Sequence, residues 1–236
     1  MISSIPKWIG NLFESLMQPN VNVLDTNYIS PDIKRIRFQG DISKWNFQIG
    51  YASVVRVSET EFRNYTIAHH DKDNGIFDII FHIHGNGVGS QFIDNLKAGD
   101  ELFISLPRGK KMYDAKVKQQ LFFGDETSLG IACALLPLLK KDSHQFEFYF
   151  ELNEENKNVP ELLGLDKYTV FPGNGSFHSE KWIGELPVLQ NGDWQDASFV
   201  LTGNARSVQT FRKVLKNRNA SKISSQGYWL EGKIGL

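Results

Sequence analysis

The pattern of apolar residues changes part-way along this chain of 236 residues, and that change limits the folds it can adopt. From Val21 to about Leu106, short apolar runs are separated by Asp, Asn, Gly or Pro, which is typical of strands joined by turns. After Lys118, apolar runs alternate with helical stretches, which favours a parallel sheet flanked by helices. The sequence therefore predicts two domains of different class.

The first part contains six predicted strands. They are Val21–Leu24, Ile33–Phe38, Gly50–Val57, Tyr65–Ala68, Ile76–His84 and Glu101–Leu106. Six short strands at this spacing predict a small antiparallel β-barrel. Pro107, Gly109 and a polar stretch at 116–120 then interrupt the apolar pattern. We therefore assign 1–112 to an N-terminal helix plus the barrel and 113–236 to an α/β domain.

The α/β domain is predicted from four strands and the helices between them. The strands are 121–124, 146–151, 168–171 and 199–202, and the helices are 127–139, 160–163 and 207–216. The first 17 residues place apolar side chains at helical spacing and predict an amphipathic helix. Docking of this helix on the protein's own core is favoured over membrane-surface binding, because Lys7 is its only basic residue.

Composition narrows the partners and the compartment. The 26 Lys and Arg residues balance 27 Asp and Glu residues, so the net charge of -1 gives no overall attraction to nucleic acid. No run approaches the roughly 20 apolar residues that span a bilayer, so no integral membrane segment is expected. The single Cys133 excludes an internal disulfide and suits a reducing compartment. We expect a cytoplasmic monomer.

Three short motifs carry the chemistry, and the first is Arg63-Asn64-Tyr65-Thr66 at the start of a predicted barrel strand. Arginine offers a two-pronged contact to phosphate, and an aromatic ring two residues later points to the same side of a strand. The threonine hydroxyl is suited to a heteroaromatic edge. A surface arginine beside a cross-strand tyrosine is an equally good interpretation of this motif alone.

The second and third motifs are glycine-containing loops before helices. His84-Gly85-Asn86-Gly87-Val88-Gly89-Ser90 follows the best predicted strand, and glycines let a backbone approach a pyrophosphate at a helix N-terminus. Its alternative is a glycine-rich hairpin loop. Gly124-Asp125-Glu126-Thr127 lies at the first strand-to-helix turn of the α/β domain, where doubly wound sheets bind nucleotides. Its alternative is an ordinary helix cap.

In this order the three motifs resemble those of the siderophore-interacting protein family of the ferredoxin-reductase-like superfamily. The resemblance extends from Val21 to Gly232 and includes Ala98-Gly99-Asp100 and Tyr228-Trp229. It implies a barrel that holds FAD and an α/β domain that takes electrons from NADPH or NADH. It also implies an FAD-dependent oxidoreductase that reduces a ferric siderophore and releases its iron.

The resemblance also implies site residues. Arg63 is expected at the flavin pyrophosphate, Tyr65 at the isoalloxazine face and Thr66 at its N5 edge, so that Tyr65 and Thr66 are the catalytic candidates. The phosphate-side loop comprises His84, Gly85, Gly87, Gly89 and Ser90. The nucleotide turn comprises Gly124, Asp125, Glu126 and Thr127. Trp229 is a candidate for shielding the flavin.

Other interpretations stay open at this point. Leu230-Glu231 follows Tyr228-Trp229 at the place where the family has basic residues. A flavin reductase with another electron acceptor, such as free flavin, a quinone or an electron-carrier protein, is therefore an alternative function. A siderophore-binding module without catalysis is a third alternative. Arg108, Lys110 and Lys111 could form a basic mouth for an anionic ferric complex or simply a solvated loop. No metal site is expected, because no carboxylate or cysteine completes a ligand set with the histidines.

Overall fold

A computed structural model describes residues 18–190, 192–194 and 196–233 of the chain. The described residues form two compact units, the first ending at Lys111 and the second beginning at Met112. The predicted amphipathic helix at 1–17 lies outside the described residues. Each unit is described by itself below.

The described part of the first unit contains eight strands and one helix. The strands are β1 (Val21–Tyr28), β2 (Ile33–Gly40), β3 (Tyr51–Arg56), β4 (Phe62–Tyr65), β5 (Ile67–Asp71), β6 (Ile76–His82), β7 (Glu101–Leu102) and β8 (Arg108–Gly109), and the helix is α1 (Val88–Asn95). They form two antiparallel sheets, ordered β5-β6-β2-β1-β7 and β4-β3-β8. An antiparallel bridge between Val55 and Ile104 links the two sheets. The predicted antiparallel, barrel-like architecture is confirmed.

The strand count differs from the predicted six because the chain changes sheets at Thr66. The segment predicted as one strand at 65–68 is divided between β4, which pairs with β3, and β5, which pairs with β6. The apolar pattern continues across this point, so periodicity alone does not show the change of sheet. The predicted strand at 101–106 is shortened to β7, and β8 is an additional strand of two residues.

The core of the first unit is formed by the inward faces of both sheets, and buried and exposed residues alternate over the first four residues of β1. Phe38 stacks on Phe77 with ring centroids 5.2 Å apart, and Trp45 packs against Phe77 at 5.0 Å. These aromatic side chains fill the space between the sheets. The closed core leaves loops and helix α1 to provide the binding features.

Helix α1 is anchored at its C-terminal end by Lys34 of β2. The buried Lys34 Nζ donates to the carbonyl oxygens of Ile93, Asp94 and Leu96 at 3.1, 2.8 and 3.0 Å. Burial lowers the pKa of Lys34, and the nearby Asp94 carboxylate opposes that shift. A cation at the helix C-terminus satisfies carbonyl groups that have no partner within the helix. Lys34 therefore fixes the position of α1 through the carbonyl groups at the C-terminal end of the helix.

The second unit is a parallel five-stranded sheet with helices. Its strands are β9 (Gln119–Gly124), β10 (Gln145–Leu152), β11 (Tyr168–Pro172), β12 (Ser198–Asn204) and β13 (Lys222–Trp229). Its α-helices are α2 (Leu129–Lys141), α3 (Val159–Leu162), α4 (Glu180–Gly184), α5 (Pro187–Gln190) and α6 (Ala205–Asn217). The strand order is β11-β10-β9-β12-β13, with every pairing parallel. The predicted parallel α/β class is confirmed.

This strand order places the topological switch point between β9 and β12, because successive strands run outward in opposite directions from there. Ligands of open parallel sheets bind outside the carboxyl ends of the strands at such a point. Strand β13 is an addition to the four predicted strands. Its sequence is largely polar and its residues are half-buried, as expected at a sheet edge, so it has no apolar run to reveal it.

Candidate functional site

The structure brings the first two motifs together in the first unit. A Cβ atom built on Gly89 would lie 3.0 Å from Arg63 Cγ and 3.3 Å from the Tyr65 hydroxyl oxygen. The glycine-rich loop therefore packs directly against strand β4, and only a residue without a side chain allows this approach without displacing its neighbours. Two motifs separated by about 20 positions in the sequence form one local surface.

The N-terminus of α1 contributes positive potential to this surface. Gly87 is the N-cap residue with extended backbone angles, and the first turn carries no acidic residue. The amide groups of a first helical turn have no partner within the helix, and the helix dipole adds to their positive character. Because Gly89 belongs to this turn, Arg63 lies beside the same helix end. The combination suits a phosphate group.

The geometry of the loop is maintained by Ser90. Its hydroxyl group accepts a hydrogen bond from the His84 backbone N–H at 3.2 Å and donates to the His84 carbonyl oxygen at 2.9 Å. Gly85 has a φ of +61°, and nothing lies within 4 Å of a Cβ atom added at Gly85 or Gly87. Ser90 therefore closes the loop, while the two glycines leave space open above it.

Arg63 and Tyr65 are held in place by their own neighbours. The Arg63 guanidinium donates to Glu61 Oε1 at 3.0 Å and to the Phe62 carbonyl oxygen at 2.9 Å, and its side chain is 21% exposed. The Tyr65 ring meets Phe81 edge-on, with centroids 4.6 Å apart. Burial raises the pKa of Tyr65 to about 12, so the phenol is neutral at physiological pH. Half-buried Thr66 follows at the junction of β4 and β5.

In the second unit, Asp125 joins three loops at the carboxyl edge of the sheet. Its Oδ1 accepts from the Thr127 backbone N–H at 2.9 Å and from the Thr127 hydroxyl. Its Oδ2 accepts from the Asn204 backbone N–H at 2.6 Å and from Trp229 Nε1 at 2.7 Å. This carboxylate therefore fixes the turn after β9, the start of α6 and the end of β13 relative to one another.

Gly124 and Gly203 are required by this close packing. A Cβ atom at Gly124 would lie 2.3 Å from Ser128 Cβ. A Cβ atom at Gly203, whose φ is +105°, would lie 2.5 Å from Asp125 Oδ2. A bulky residue at Gly124 would disturb the turn itself and is therefore a poor probe of nucleotide binding. The packing accounts for the glycine at 124 without a ligand, and its place in a nucleotide site stays a prediction.

Glu126 and Trp229 are also held within the second unit. Glu126 Oε1 accepts from the Asn153 backbone N–H at 2.7 Å and from Asn156 Nδ2 at 3.2 Å, which ties the turn to the segment after β10. Trp229 is half-buried, and its bond to Asp125 sets the direction of the indole N–H. Direct hydrogen bonds thus join Asp125 to Thr127 and to Trp229, whereas Glu126 is bonded to the segment after β10.

Sequence reasoning missed several residues at this edge, notably Glu151 at the end of β10. Glu151 is 7% exposed, and its Oε2 accepts from the Ser207 hydroxyl at 2.8 Å. Asn204 was also missed, although an Asn just before a helical pattern is a recognised capping signal. Its side-chain oxygen accepts from the backbone N–H groups of Arg206 and Ser207 at 2.8 and 3.3 Å. Glu151 carries no comparable signal, because it continues an apolar strand.

The pKa of Glu151 gives a test of this edge. Burial raises the pKa of Glu151 above the ordinary 4.5, the Ser207 hydrogen bond opposes the shift, and the Asp125 charge adds to it. The folded protein therefore holds this proton more tightly than the unfolded chain, and the associated stability is lost as pH rises above 4.5. We expect Glu151→Gln to raise the melting temperature relative to wild type more at pH 8 than at pH 4. The exposed Glu155→Gln is the control, and a pH-independent difference would contradict the expectation.

The remaining candidates are exposed or lie apart. Arg108, Lys110 and Lys111 are exposed at the end of the first unit. His82 and His84 have ring centroids 5.2 Å apart, and His82 Nε2 lies 3.3 Å from Asp32. Within the described part of the chain, no three His, Cys, Asp or Glu residues are grouped to hold a metal ion. No helix in that part is long and apolar enough to cross a membrane.

Comparison with known proteins adds to this geometry. Residues 20–113 match the family model described as the oxidoreductase FAD-binding domain. A search of curated proteins found no match. An intact type IV self-sufficient monooxygenase is 14% identical, with a TM-score of 0.74, over 92% of this chain and 28% of that chain. The chain therefore spans less than a third of the length of that monooxygenase.

Two similar structures match over nearly their full length. A siderophore utilization protein from T. fusca is 19% identical, with a TM-score of 0.75, over 93% of this chain and 95% of that chain. The siderophore-interacting protein SipS from Aeromonas hydrophila is 18% identical, with a TM-score of 0.71, over 90% and 99%. The predicted resemblance is confirmed at the level of fold. Residues 20–113 match the oxidoreductase FAD-binding domain family, and the chain has the fold shared by siderophore-interacting proteins and ferredoxin reductases.

Proposed function

We propose that this protein is an FAD-dependent oxidoreductase that uses NAD(P)H to reduce ferric siderophores and release iron. The observation that carries the proposal is the close approach of Gly89 to Arg63 and Tyr65, which brings two of the three motifs into one local surface within the residues that match the FAD-binding family. A ferric siderophore as the substrate is supported by the order of the three motifs along the sequence and by the two siderophore-related proteins of the same fold. Both of these proteins match over nearly their whole length.

The residues of the first unit fit FAD. Arg63 and the first turn of α1 would hold its pyrophosphate, with Gly85, Gly87 and Gly89 allowing close approach. Tyr65 would lie on the flavin ring and Thr66 at its N5 edge, while His84 and Ser90 keep the loop in shape. Bound FAD supplies hydride acceptance from NAD(P)H and single-electron release to Fe(III). The protein's own task is positioning, since no acid–base step is required of its side chains.

The second unit provides the proposed nucleotide site at the switch point of its sheet. The turn Gly124, Asp125, Glu126 and Thr127 lies at the carboxyl end of β9, where open parallel sheets bind ligands. Asp125 stabilises the turn and holds the Trp229 indole in one orientation. A fixed orientation of this ring is what a residue proposed to shield the flavin needs. Asp125 thus acts as a positioning residue for Trp229.

A basic mouth formed by Arg108, Lys110 and Lys111 is proposed to attract the anionic ferric complex. Attraction between exposed charges is screened over a Debye length of about 8 Å at physiological ionic strength, so the wild-type rate should fall as salt rises. Replacing all three by alanine should lower the reduction rate at low salt and flatten its salt dependence. The control replaces the exposed Lys181, Lys216 and Lys222 of the second unit. If both variants show equal reduction rates and equal dependence of the rate on salt, Arg108, Lys110 and Lys111 do not form the mouth.

The proposed activity is tested by anaerobic reduction. Flavin-loaded protein is mixed with NADH or NADPH and flavin absorbance is followed. A ferric catecholate or hydroxamate siderophore is then added with a chromogenic Fe(II) chelator. We expect loss of absorbance followed by Fe(II) capture. Reduction of free flavin or a quinone without capture from any ferric siderophore would replace the proposed substrate with another acceptor, and absence of flavin reduction by either nucleotide would contradict the donor.

A further inference from the structure

The loops after β10 and β11 form one continuous surface at the carboxyl edge of the second unit. Gly173 donates its backbone N–H to the last carbonyl oxygen of β10 at 2.7 Å. A Cβ atom built on Gly173 would lie 2.7 Å from Asn153 Oδ1, so the Asn153 side chain lies against the next loop. We call this surface, residues 153–156 and 173–176, the β10–β11 edge. It adjoins the proposed nucleotide turn, because Glu126 accepts from the Asn153 backbone N–H at 2.7 Å.

The β10–β11 edge offers carboxylate, amide and hydroxyl groups and no basic side chain. Its eight residues include Glu154 and Glu155, both exposed, and no Lys, Arg or His. The following residue, Lys157, is ion-paired with Glu154, so this pair contributes no net charge. Glu155 therefore leaves the edge negative where an anionic ligand would approach.

Two basic side chains near this edge, His178 and Arg206, add little positive potential to it. Burial lowers the pKa of His178 below the ordinary 6.5, the Arg206 charge adds to the shift, and the Glu231 charge opposes it. His178 is therefore neutral at physiological pH. Arg206 is exposed on the first turn of α6, and the Glu231 carboxylate offsets its charge at the same histidine.

Below the β10–β11 edge lies a hydrogen-bond acceptor without a donor. Glu151, the last but one residue of β10, pairs in register with Phe171 of β11 and is 7% exposed. Its Oε1 has no hydrogen-bond partner among the described residues. A hydroxyl group can donate a hydrogen bond, whereas a phosphate dianion offers acceptors only. The acceptors at this edge therefore match a hydroxyl group better than a phosphate group.

This chemistry bears on the adenosine ribose of a nicotinamide nucleotide. Where a dinucleotide binds at the first strand-to-helix turn of an open parallel sheet, an acidic residue further along bonds to the ribose 2′-hydroxyl of NAD, and an arginine accommodates the 2′-phosphate of NADP. Strand β10 is the next strand after the turn, and Glu154 and Glu155 follow it. A 2′-phosphate would bring a further charge of about −1.5 to −2 to this negative edge.

We infer that the second unit accepts NADH in preference to NADPH, because the β10–β11 edge receives a ribose hydroxyl group and repels a 2′-phosphate. The inference rests on the proposed function, which assigns a nicotinamide nucleotide to the carboxyl edge of this sheet. It goes further by naming the electron donor. It assigns the choice between the two nucleotides to Glu155 and to the absence of a basic side chain from 153–156 and 173–176.

The experiment measures anaerobic reduction of the bound flavin by NADH and by NADPH, and binding of NAD⁺ and NADP⁺ by isothermal titration calorimetry. Glu155→Arg reverses the charge on the edge. Glu185→Arg is the matched control, because it makes the same change at an exposed position of the same unit. Glu185 follows Gly184, whose carbonyl oxygen accepts from Arg218 at the C-terminal end of α6, so the control lies away from the carboxyl edge.

We expect wild type and Glu185→Arg to have a kcat/KM for NADH at least about tenfold above that for NADPH, with the same order of affinities in calorimetry. Screening weakens the repulsion of the 2′-phosphate, so this ratio should fall as salt rises. Glu155→Arg should raise kcat/KM for NADPH about tenfold, as a new charge-assisted hydrogen bond would give, and change that for NADH by less than about threefold.

Three results would overturn parts of this account in different ways. Equal or better use of NADPH by wild type would overturn the inference and leave the proposed activity intact, and a loss of NADPH use in Arg206→Ala would then place the 2′-phosphate at Arg206. A wild-type ratio in Glu155→Arg would show that the β10–β11 edge does not choose the nucleotide. If neither nucleotide binds or reduces the flavin, the proposed function fails as well.

Discussion

Arg63→Ala should bind FAD about 10- to 150-fold more weakly than wild type, which corresponds to about 1.5–3 kcal/mol for a lost charge-assisted hydrogen bond. The guanidinium lies against Gly89 in the first turn of α1, where the helix amides alone would remain to neutralise a pyrophosphate. Glu61, whose carboxylate is 3.0 Å from the guanidinium, would also lose its partner and add repulsion towards the ligand. Equilibrium titration of flavin-free protein measures the change.

The matched control for this variant is Arg35→Ala. Arg35 belongs to strand β2 of the same unit, so its replacement removes the same charge from outside the Gly89 surface. We expect its FAD affinity to stay within about twofold of wild type, because Arg35 is not among the residues nearest to Gly89. Equal losses in both variants would show a general charge effect, and no loss in Arg63→Ala would remove Arg63 from the pyrophosphate site.

Asp125→Ala should produce the largest loss of stability. Asp125 is 4% exposed and accepts four hydrogen bonds, two from Thr127 and one each from Asn204 and Trp229. Its removal leaves partly buried donors without this acceptor, and a buried donor left unsatisfied costs about 1–3 kcal/mol. Because the bonds share one carboxylate, their losses do not add fully, and we expect about 3 kcal/mol in total. That corresponds to a fall in melting temperature of about 6–12 °C.

Thermal unfolding followed by circular dichroism tests this expectation. Asp114→Ala is the control, because Asp114 is an exposed carboxylate of the same unit that accepts the Lys116 backbone N–H at 3.0 Å. Asp125→Asn should lose less stability than Asp125→Ala, because the amide oxygen still accepts hydrogen bonds. The amide nitrogen would face N–H donors, so the hydrogen bonds at that position are lost. A melting temperature in Asp125→Ala equal to that of the control would show that the three loops are held together by other contacts.

The fold classes were predictable because local sequence patterns specify them. Strand β6 places the apolar Phe77, Ile79 and Phe81 on one face, and β9, β10 and β12 are apolar runs that suit strands buried on both faces. Three features were not predictable from such patterns. The change of sheet at Thr66 depends on which partner each half of the segment pairs with, β13 is polar at a sheet edge, and β8 contains only two residues.

The candidate site was predictable in its residues but only partly in their roles. Arg63, Tyr65 and Gly89 were identified separately, and their contact follows from the tertiary fold. Asp125 was assigned to a nucleotide turn, yet its Oδ2 partners lie 79 and 104 positions away in the sequence. Short motifs carry no information about such distant donors. The same holds for Lys34, whose anchoring of α1 joins residues about 60 positions apart.

The most direct test of the account is the binding of FAD to the purified chain. Flavin-free protein is titrated with FAD, and bound flavin is quantified against protein concentration after removal of the free ligand. We expect saturable binding of one FAD per chain, with lower occupancy in Arg63→Ala at the same ligand concentration. Absence of saturable binding, or equal occupancy of wild type and Arg63→Ala across the titration, would contradict an FAD site at the junction of β4 and helix α1.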